Sequence, residues 1–429
     1  MPVIGRPDSE NEPQIVADLA SQSDRVTAPV VDPDPEKLNA PSTAEYTASA
    51  PLESTVSTRD LPDGGHRASP SFLPVVDIED LDWSALSQFM VGNDIRGRIA
   101  DTVRKVEAFL CTSEKKAMLF DVHRAFPDDK VIHVIDPGVA PLWLIGDLHG
   151  DLLALEAAIA LIRTHPKYGS PDSRIIFLGD LFDDEGFGLE VLLRVFELIL
   201  AQAATICVIA GNHDEALGHD GSRFTSTVSP SDFSDFLNKN LCDDAIVNAG
   251  KLAIRLFANA PRALFFPDGL LVAHGGFPLA DLHCTLKETG DWNAPSCLSD
   301  FVWARAHPTA RKKIPNRFTR GSQFGHEDFS SFCSVASSLG RPVTHMVRGH
   351  DHVEERYQVY AAYKANPILT TVALSRRLPR EFLGPHERLP TVALYTENSL
   401  PQVFRLRIPP DLIREFYPDV SEPQACDAS

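Results

Sequence analysis

The sequence predicts an α/β sandwich that carries functional loops at the carboxyl ends of its strands. After Pro137 the chain repeats a short apolar strand, a polar loop and an amphipathic helix. In addition, five apolar strands each run into a loop that contains Asp, His or Asn. Strands that alternate with helices are typical of layered α/β folds.

The repeat comprises three successive units. They are strand Pro141–Ile145, loop Gly146–Gly150 and helix Leu152–Arg163; strand Arg174–Leu178, loop Gly179–Phe187 and helix Leu189–Gln202; and strand Thr205–Ala210 with loop Gly211–Glu215. Upstream, apolar residues recur three or four apart across residues 84–120, which predicts a helix. Residues 216–250 are polar and turn-rich before a helix-like stretch near Phe233–Leu241, and we expect an excursion over the site there.

Later segments extend the same pattern. They are predicted strands at Leu270–Ala273 and Thr344–Val347, a helix at Asp328–Leu339, and β-rich segments at Ile368–Leu374, Thr391–Tyr395 and Val403–Ile408. The chain is therefore predicted to divide into a tail (1–72), a folded body (73–415) and a short C-terminal tail (416–429).

The first 72 residues differ in composition from the rest. They are rich in Pro, Ser, Thr, Asp and Glu, and Tyr46 is their only aromatic residue before Phe72. Such a segment buries too little apolar surface to offset its ordering entropy, so we expect an acidic, disordered tail. The functional alternative is an export or translocation signal, as in a translocated effector.

Charge and cysteine usage exclude several classes. The net charge is −19, and residues 1–80 hold 15 Asp and Glu against 5 Lys and Arg. This excludes nucleic acid as the main partner, because a phosphate backbone requires a basic face. No apolar stretch is long enough for a membrane span, and Met1–Glu10 lacks secretory-signal features. Seven scattered cysteines without a CxxC pair favour the cytoplasm or another reducing compartment.

The loops after the five strands hold a mixed set of oxygen and nitrogen donors. They carry Asp147 and His149; Asp180 and Asp183; Asn212, His213 and Asp214; His274; and His350 and His352. Two divalent cations bridged by an aspartate require such a set, which suits manganese, iron or zinc, and its lack of thiolates argues against a structural zinc site. Manganese is the expected metal, with iron or zinc as alternatives. Such a pair activates a water for attack on phosphorus. Alone, the GDLHG loop could be a capped turn and His213 a core histidine, but five such loops in order favour the metal centre.

These motifs resemble those of the phosphoprotein phosphatase family, within the calcineurin-like metallophosphoesterase superfamily. The resemblance runs from about Val103 to Ile408. Its GDxHG, GDxVDRG, GNHE, HGG and RxH patterns stand here at Gly146–Gly150, Gly179–Glu185, Gly211–Asp214, His274–Gly276 and Arg348–His350. The resemblance implies a four-layer α/β/β/α sandwich with flanking helices.

The resemblance also implies roles for individual residues. One metal would bind Asp147, His149 and Asp180, and the second would bind Asp180, Asn212, His274 and His350. It further implies that His213 protonates the leaving oxygen, held by Asp183, since an alkoxide leaves poorly unless it is protonated. Arg320 in FTRGSQFG matches a phosphate-clamping arginine, with a surface arginine as the alternative.

Three departures from the family pattern affect the phosphate-binding shell. Asp184 and Glu185 replace an Arg-Gly pair, which removes one phosphate clamp; Arg223 or Arg305 are candidate substitutes. The segment Ala373–Leu378 replaces the family's SAPNY loop, and its Arg376 and Arg377 face either the substrate or solvent. The third departure is His352, which creates a GHxH ending and is an additional candidate ligand of the first metal.

The leading hypothesis is a dinuclear-metal phosphatase that hydrolyses phosphomonoesters on phosphoproteins, by attack of a metal-activated water. Hydrolysis of nucleotides or dinucleoside polyphosphates is the alternative within enzymes. A non-catalytic binding protein on a phosphatase fold is the alternative from another class. Intact metal-ligand positions argue against the last alternative, because a degenerate site would have lost at least one of them.

Overall fold

Two six-stranded β-sheets stack face to face, and helices cover their outer surfaces. The computed structural model describes residues 73–86, 95–111, 118–138, 140–279, 286–315, 320–378, 381, 386–397, 399 and 401–418. All of them belong to one unit, Arg67–Ser429. The predicted tail at 1–72 lies outside the described residues, and so does most of the predicted C-terminal tail.

The first sheet, sheet A, has the strand order β1-β17-β16-β3-β4-β5. Its strands are β1 (Val75–Ile78), β3 (Leu142–Ile145), β4 (Arg174–Phe177), β5 (Ile206–Val208), β16 (Thr391–Tyr395) and β17 (Gln402–Leu406). Strands β3, β4 and β5 are parallel neighbours, whereas β16 is antiparallel to both β3 and β17. The three loops of the repeat that contain Asp, His or Asn follow these parallel strands, so they leave the sheet at the same edge.

The second sheet, sheet B, has the strand order β14-β15-β13-β9-β8-β2. Its strands are β2 (Val131–His133), β8 (Ala263–Phe265), β9 (Leu270–Ala273), β13 (His345–Arg348), β14 (Tyr357–Val359) and β15 (Ile368–Thr371). Strand β13 runs parallel to both β9 and β15. Two small sheets complete the strands: the hairpin of β6 (Leu217–His219) and β7 (Phe224–Ser226), and the group of β10 (Arg305–Ala306), β11 (Ile314–Pro315) and β12 (Ser322–Phe324).

The helices lie on both sides of the paired sheets. They are α1 (Ile95–Cys111), α2 (Leu152–Thr164), α3 (Gly188–Gln202), α4 (Asn212–Ala216), α5 (Asp232–Lys239), α6 (Asp244–Asn259), α7 (Lys287–Thr289), α8 (Pro295–Trp303), α9 (His326–Ser338) and α10 (Pro410–Phe416). Three-residue 3₁₀ turns occur at Asp121–His123, Ala203–Thr205 and Ala361–Tyr363.

Alternation along the strands divides the core into layers. In β3, Leu142 and Leu144 join the cluster between the two sheets, whereas Trp143 and Ile145 join the cluster beneath the helices of sheet A. Successive side chains of a strand point to opposite faces, so a strand that is buried on both faces reads as a continuous apolar run. A third cluster packs α8 and α9 against the outer face of sheet B. These layers confirm the predicted α/β/β/α sandwich.

Most of the predicted elements form within a residue or two of their expected bounds, but the region 216–250 differs from the prediction. Its first part folds as the hairpin β6–β7 and helix α5. From Asp244 onward the chain belongs to α6, whose Leu252 and Ala253 are buried in the core. The end of the predicted excursion is therefore the start of a core helix, because apolar residues recur along α6 at helical spacing.

The C-terminal end of the folded body also extends past the predicted boundary at residue 415. Helix α10 ends at Phe416, and Tyr417 is buried and donates a hydrogen bond to Asp151. No described helix is both long and apolar enough to cross a bilayer. No disulfide forms among the described cysteines, which are Cys111, Cys207, Cys242, Cys297 and Cys333.

Candidate metal centre

The carboxyl ends of five strands from both sheets meet at one place. Asp147 follows β3, Asp180 follows β4 and Asn212 follows β5 in sheet A; His274 follows β9 and His350 follows β13 in sheet B. All five side chains are buried, with at most 4% of their surface exposed. A group of polar side chains at this depth requires partners, since unpaired buried polar groups are costly.

The first cluster contains Asp147, His149 and His352. The Nε2 atoms of His149 and His352 lie 3.1 Å apart, and His352 Nε2 is 3.5 Å from Asp147 Oδ2. His352 is 29% exposed at its side chain, whereas the other two are buried. The predicted additional ligand therefore lies beside the predicted ligands of the first metal.

The second cluster contains His274, His350 and Asp180, with Asn212 beside them. His274 donates its Nδ1 hydrogen to the Leu178 carbonyl at 2.9 Å, so the other ring nitrogen, Nε2, faces the cluster. This Nε2 lies 3.1 Å from both Asn212 Oδ1 and His350 Nδ1. The Leu178 contact orients the His274 ring in the way that backbone partners orient metal-ligating histidines.

Asp180 connects the two clusters. Its Oδ2 atom lies 3.5 Å from His149 Nε2 and 3.4 Å from His274 Nε2, so one carboxylate oxygen is shared by both groups. Its Oδ1 atom accepts a hydrogen bond of 2.9 Å from the His213 backbone amide. This is the position that a bridging ligand requires.

The charges in the site are strongly coupled. Burial alone would raise the pKa of Asp147 and Asp180, but nearby histidines, His274 first, lower both below the usual range. Burial lowers the pKa of His149 to about 3 and that of His350 well below its usual value. Asp147 and Asp180 are thus ionised, and the imidazoles of His149 and His350 are neutral, which are the protonation states that metal ligands need. For His274 burial lowers the pKa, but the carboxylates of Asp180 and Asp147 outweigh it and raise this pKa above its usual value.

His213 and Asp183 form a separate pair beside Asp180. His213 Nδ1 is 2.7 Å from Asp183 Oδ2, and Asp183 Oδ1 accepts a hydrogen bond from the Phe233 amide at 2.9 Å. Burial lowers the pKa of His213, but the carboxylates of Asp180 and Asp183 outweigh it and raise this pKa to about 9. The pair therefore holds a protonated imidazole at neutral pH.

Backbone contacts hold the loops close together. The Asp214 carboxylate accepts hydrogen bonds from the amides of Asp180 at 2.7 Å, Leu181 at 3.2 Å and Gly211 at 2.8 Å. This residue connects the loop after β4 to the loop after β5. The sequence did not reveal this role, because Asp214 reads there simply as the last position of the GNHE-like motif.

A second support was also missed by sequence reasoning. Arg348 is fully buried and pairs with Asp351, which also accepts hydrogen bonds from Arg305 at 3.1 Å and from the Ala306 amide at 3.0 Å. Arg305 also donates to the His350 carbonyl at 2.9 Å. Asp351 thus anchors the loop that carries His350 and His352. Its only sequence signal was its position between two predicted ligands.

The arginines near the site have distinct environments. Arg320 is exposed and lies over the Trp303 ring, 4.6 Å from its centroid. Trp303 in turn donates its indole hydrogen to Glu215, next to Asp214. Arg223 is 70% exposed and 3.7 Å from Asp220.

Two further arginines pair with the acidic residues that replace the family's Arg-Gly. Arg376 pairs with Asp184, and Arg388 lies 3.0 Å from Glu185. Of the two arginines in the 373–378 segment, Arg376 therefore reaches the loop after β4, whereas Arg377 donates to the Glu381 carbonyl at 2.6 Å.

The donor set fits two divalent cations. Each of the three groups of carboxylate and imidazole donors has its ligand atoms within 4.8 Å of one another, and Asp180 belongs to two of them. Carboxylate oxygen, imidazole nitrogen and one amide oxygen suit manganese, iron or zinc. Two sheets whose strand ends meet at such a cluster define a metallophosphoesterase architecture.

The family profile described as calcineurin-like phosphoesterase matches residues 140–354, half of the chain. The chain therefore belongs to the calcineurin-like phosphoesterase family. The match includes all the motifs from Asp147 to His352 and confirms the resemblance on which the ligand assignments depend.

Individual relatives are distant. A serine/threonine-protein phosphatase of Caenorhabditis elegans is 24% identical over 267 residues, which cover 59% of this chain and 53% of the relative. The serine/threonine-protein phosphatase 6 catalytic subunit of the same species is 23% identical over 240 residues, 55% of this chain and 65% of that protein. The chain thus spans between half and two thirds of the length of these curated relatives.

A solved structure shares the fold. It is a protein serine/threonine phosphatase from Saccharomyces cerevisiae with similarity to human phosphatase PP5, with a TM-score of 0.51 and 16% identity. The likeness covers 80% of this chain and 98% of that chain. It supports the two-sheet sandwich independently of the motifs.

Proposed function

We propose that the protein is a dinuclear-metal phosphatase that hydrolyses phosphomonoesters, with phosphoproteins as its substrates. The observation that carries the proposal is the shared Asp180 Oδ2, which lies within 3.5 Å of a histidine from each cluster. The relatives described as serine/threonine phosphatases support phosphoproteins as the substrate class.

The proposed ligands divide between two cations. Asp147, His149 and Asp180 hold the first, with His352 as an additional ligand; Asp180, Asn212, His274 and His350 hold the second. When bound, the cations stabilise charge on phosphoryl oxygens and lower the pKa of water. Manganese is the proposed native metal, with iron and zinc as the alternatives.

His213 is the proposed proton donor to the leaving oxygen. Asp183 keeps the ring oriented through the 2.7 Å contact at Nδ1, so that Nε2 is free to deliver its proton. A protonated imidazole that is fixed in this way lowers the barrier to loss of an alkoxide. Asp183 acts only through His213 and is a positioning residue.

Arg320 is the proposed phosphate-binding arginine. Its guanidinium packs over Trp303, and Trp303 is tied to Glu215 on the same helix as His213. Stacking fixes the plane of the guanidinium while its N–H groups stay available to phosphate oxygens.

The first test is hydrolysis of p-nitrophenyl phosphate by the full chain with Mn²⁺. We expect activity in the native protein and a fall in kcat of about 10²- to 10⁴-fold in His213→Asn. Asp180→Asn should lose most of its activity together with its metal. His123→Asn, outside both clusters, is the matched control and should keep native activity. Normal turnover by Asp180→Asn without metal would overturn the mechanism.

The second test separates the substrate classes. Phosphoserine, phosphothreonine and phosphotyrosine peptides are compared with dinucleoside polyphosphates under the same Mn²⁺ conditions. A higher kcat/KM on one of the peptides supports the phosphoprotein substrate. A higher value on the dinucleotides would replace it with a nucleotide hydrolase, and binding without turnover would indicate a non-catalytic protein.

A further inference from the structure

A half-buried ion pair joins the two segments in which this chain departs from its family. Arg376, in the loop after β15, pairs with Asp184, in the loop after β4, and their side chains are 22% and 21% exposed. The two residues lie 192 positions apart in the chain. We call Asp184 and Arg376 the rim pair.

Both members of the rim pair are close in the chain to residues that contact the centre. Two residues before Arg376, the Leu374 amide donates a 2.6 Å hydrogen bond to the Asp147 carbonyl. Directly before Asp184, Asp183 holds His213 at 2.7 Å. The ion pair thus connects the segment that contacts a proposed metal ligand with the loop that holds the proposed acid.

The neighbouring arginines Arg388 and Arg377 form contacts with other groups. Arg388 is only 3% exposed, lies 4.0 Å from the centroid of the Tyr417 ring and pairs with Glu185. Arg377 donates to the Glu381 carbonyl. The Arg376 guanidinium donates to Asp184 and, through Nη1, to the Arg377 carbonyl at 3.3 Å. Its buried Nε has no hydrogen-bond partner among the described residues, so this guanidinium has unused donor capacity. A guanidinium offers five N–H groups, and a carboxylate engages two at most.

Further acidic side chains lie beside the Asp184 end of the pair. Besides Asp184, the Asp232 carboxylate accepts a 2.7 Å hydrogen bond from the Asp184 amide, and Asp183 is adjacent in the chain. A dianionic phosphate that approaches this edge meets several negative charges, and a cation is needed to offset them. Arg376 is the half-exposed cation that the described residues bring there.

We infer that Arg376 binds the phosphate group of the substrate and that Asp184 competes with the substrate for it. This inference rests on the proposed phosphatase function and names a residue for phosphate recognition. A phosphate dianion accepts two parallel N–H bonds as a carboxylate does, and it carries more charge. Phosphate therefore displaces Asp184 from Arg376, and Asp184 sets how tightly phosphate binds.

The test uses four variants of the full chain: Arg376→Gln, Arg376→Lys, Asp184→Asn and the double variant Arg376→Gln/Asp184→Asn. Arg377→Gln is the matched control. Two quantities are measured with Mn²⁺ bound: KM for p-nitrophenyl phosphate, and the rise in unfolding temperature that inorganic phosphate causes. Unfolding temperatures without phosphate establish that each variant folds.

We expect Arg376→Gln to weaken phosphate binding and raise KM about tenfold or more, since bonds to charged groups are among the strong ones. The KM and phosphate binding of Arg376→Lys should lie between those of Arg376→Gln and the native protein. Arg377→Gln should match the native protein in both. Asp184→Asn should tighten phosphate binding, but only when Arg376 is present. If Asp184→Asn tightens phosphate binding equally in the native and the Arg376→Gln backgrounds, the loss of a negative charge explains the gain. That outcome would overturn the competition between Asp184 and phosphate for Arg376.

The outcomes separate this inference from the proposed function. Unchanged phosphate binding in Arg376→Gln, with an active native enzyme, overturns the role of Arg376 alone. A native protein that turns over no phosphoester but loses phosphate binding in Arg376→Gln contradicts the proposed function and supports the binding role.

Discussion

Several residues of the centre have backbone conformations that most side chains avoid. His149, Asp180 and His350 have φ angles of 49°, 53° and 68°. Left-handed backbone costs a non-glycine residue about 1–2 kcal/mol, so surrounding contacts must stabilise it. The His149 amide donates to the Asp180 carbonyl at 2.9 Å, and the His350 amide donates to the Asp147 carboxylate at 2.9 Å. The first bond joins two loops of sheet A, and the second joins a loop of sheet B to a loop of sheet A.

Gly349 is one of the residues at which this close approach leaves no room for a side chain. A Cβ atom there would lie 2.1 Å from Asp147 Oδ1, so Gly349→Ala must displace that carboxylate. We expect Mn²⁺ affinity to fall at least about tenfold and the free energy of unfolding by about 1–3 kcal/mol. Calorimetric titration with Mn²⁺ measures the first effect and denaturant unfolding the second.

Gly218→Ala is the control for this variant. A Cβ atom at Gly218 meets the Thr225 hydroxyl at 3.0 Å, in the β6–β7 hairpin and away from any proposed ligand. It should leave Mn²⁺ affinity unchanged. Native Mn²⁺ affinity in Gly349→Ala would contradict the view that Asp147 is held in place by the adjacent backbone.

Among the elements, the edge strand β2 contains a histidine that is buried in its neutral form. His133 packs against the rings of Phe265 and Trp292, with centroids 5.2 Å and 6.0 Å away, and its Nδ1 has no hydrogen-bond partner in the part of the chain that the structure describes. Burial, and then the charge of Arg341, lowers its pKa to about 4, while Asp129 opposes this. An unfolded chain would protonate the same ring near pH 6.5.

This difference predicts a pH-dependent stability. Above pH 6.5 the ring is neutral in both states and contributes no pH dependence. As pH falls from 6.5 to 4, only the unfolded chain gains the proton, so His133 lowers the free energy of unfolding. In His133→Phe this loss is absent. Urea unfolding at pH 7.5 and pH 5 should show the variant gaining relative to the native protein at pH 5; an equal difference at both pH values would refute the prediction.

Some strands of the fold could be predicted from the sequence and others could not. Strands β3, β4, β9 and β13 are apolar runs that stop at Gly-Asp, His-Gly or Gly-His steps, so both the strand and the ligand after it were predictable. The hairpin β6–β7 was not predictable from the sequence, because Leu217 and Phe224 are its buried residues and polar residues surround them in the chain. Arg376 and Arg377 were indistinguishable in sequence, since their partners depend on contacts that only the folded chain makes.

At the scale of the whole molecule, the centre lies where two sheets meet, and an apolar cluster fills the space between their facing surfaces. The proposed ligands come from positions 147 to 352, and the predicted layer order followed from the family resemblance rather than from periodicity. Strand β16 was predicted as a strand, but its antiparallel position between β3 and β17 was not predicted. Pairing order depends on contacts between distant segments, which local patterns do not encode.

Metal binding should therefore stabilise the entire fold. A ligand that binds only the folded state at 100 times its Kd adds about 2.7 kcal/mol to the free energy of unfolding. We expect Mn²⁺ to raise the unfolding temperature and a chelator to lower it. Asp180→Asn, which removes the shared carboxylate, should remove most of this response. An unchanged response in that variant would place the stabilising metal elsewhere.

The pairing of β1 with β17 has a consequence for biosynthesis. Val75 lies opposite Val403, and Arg405 reaches Asp77 across 328 positions. A ribosome releases β1 and β3 long before their partners β17 and β16. Sheet A therefore cannot close on a nascent chain that has not yet reached β17. Any polypeptide that terminates before Gln402 would leave β1 and β16 without the strand that joins them.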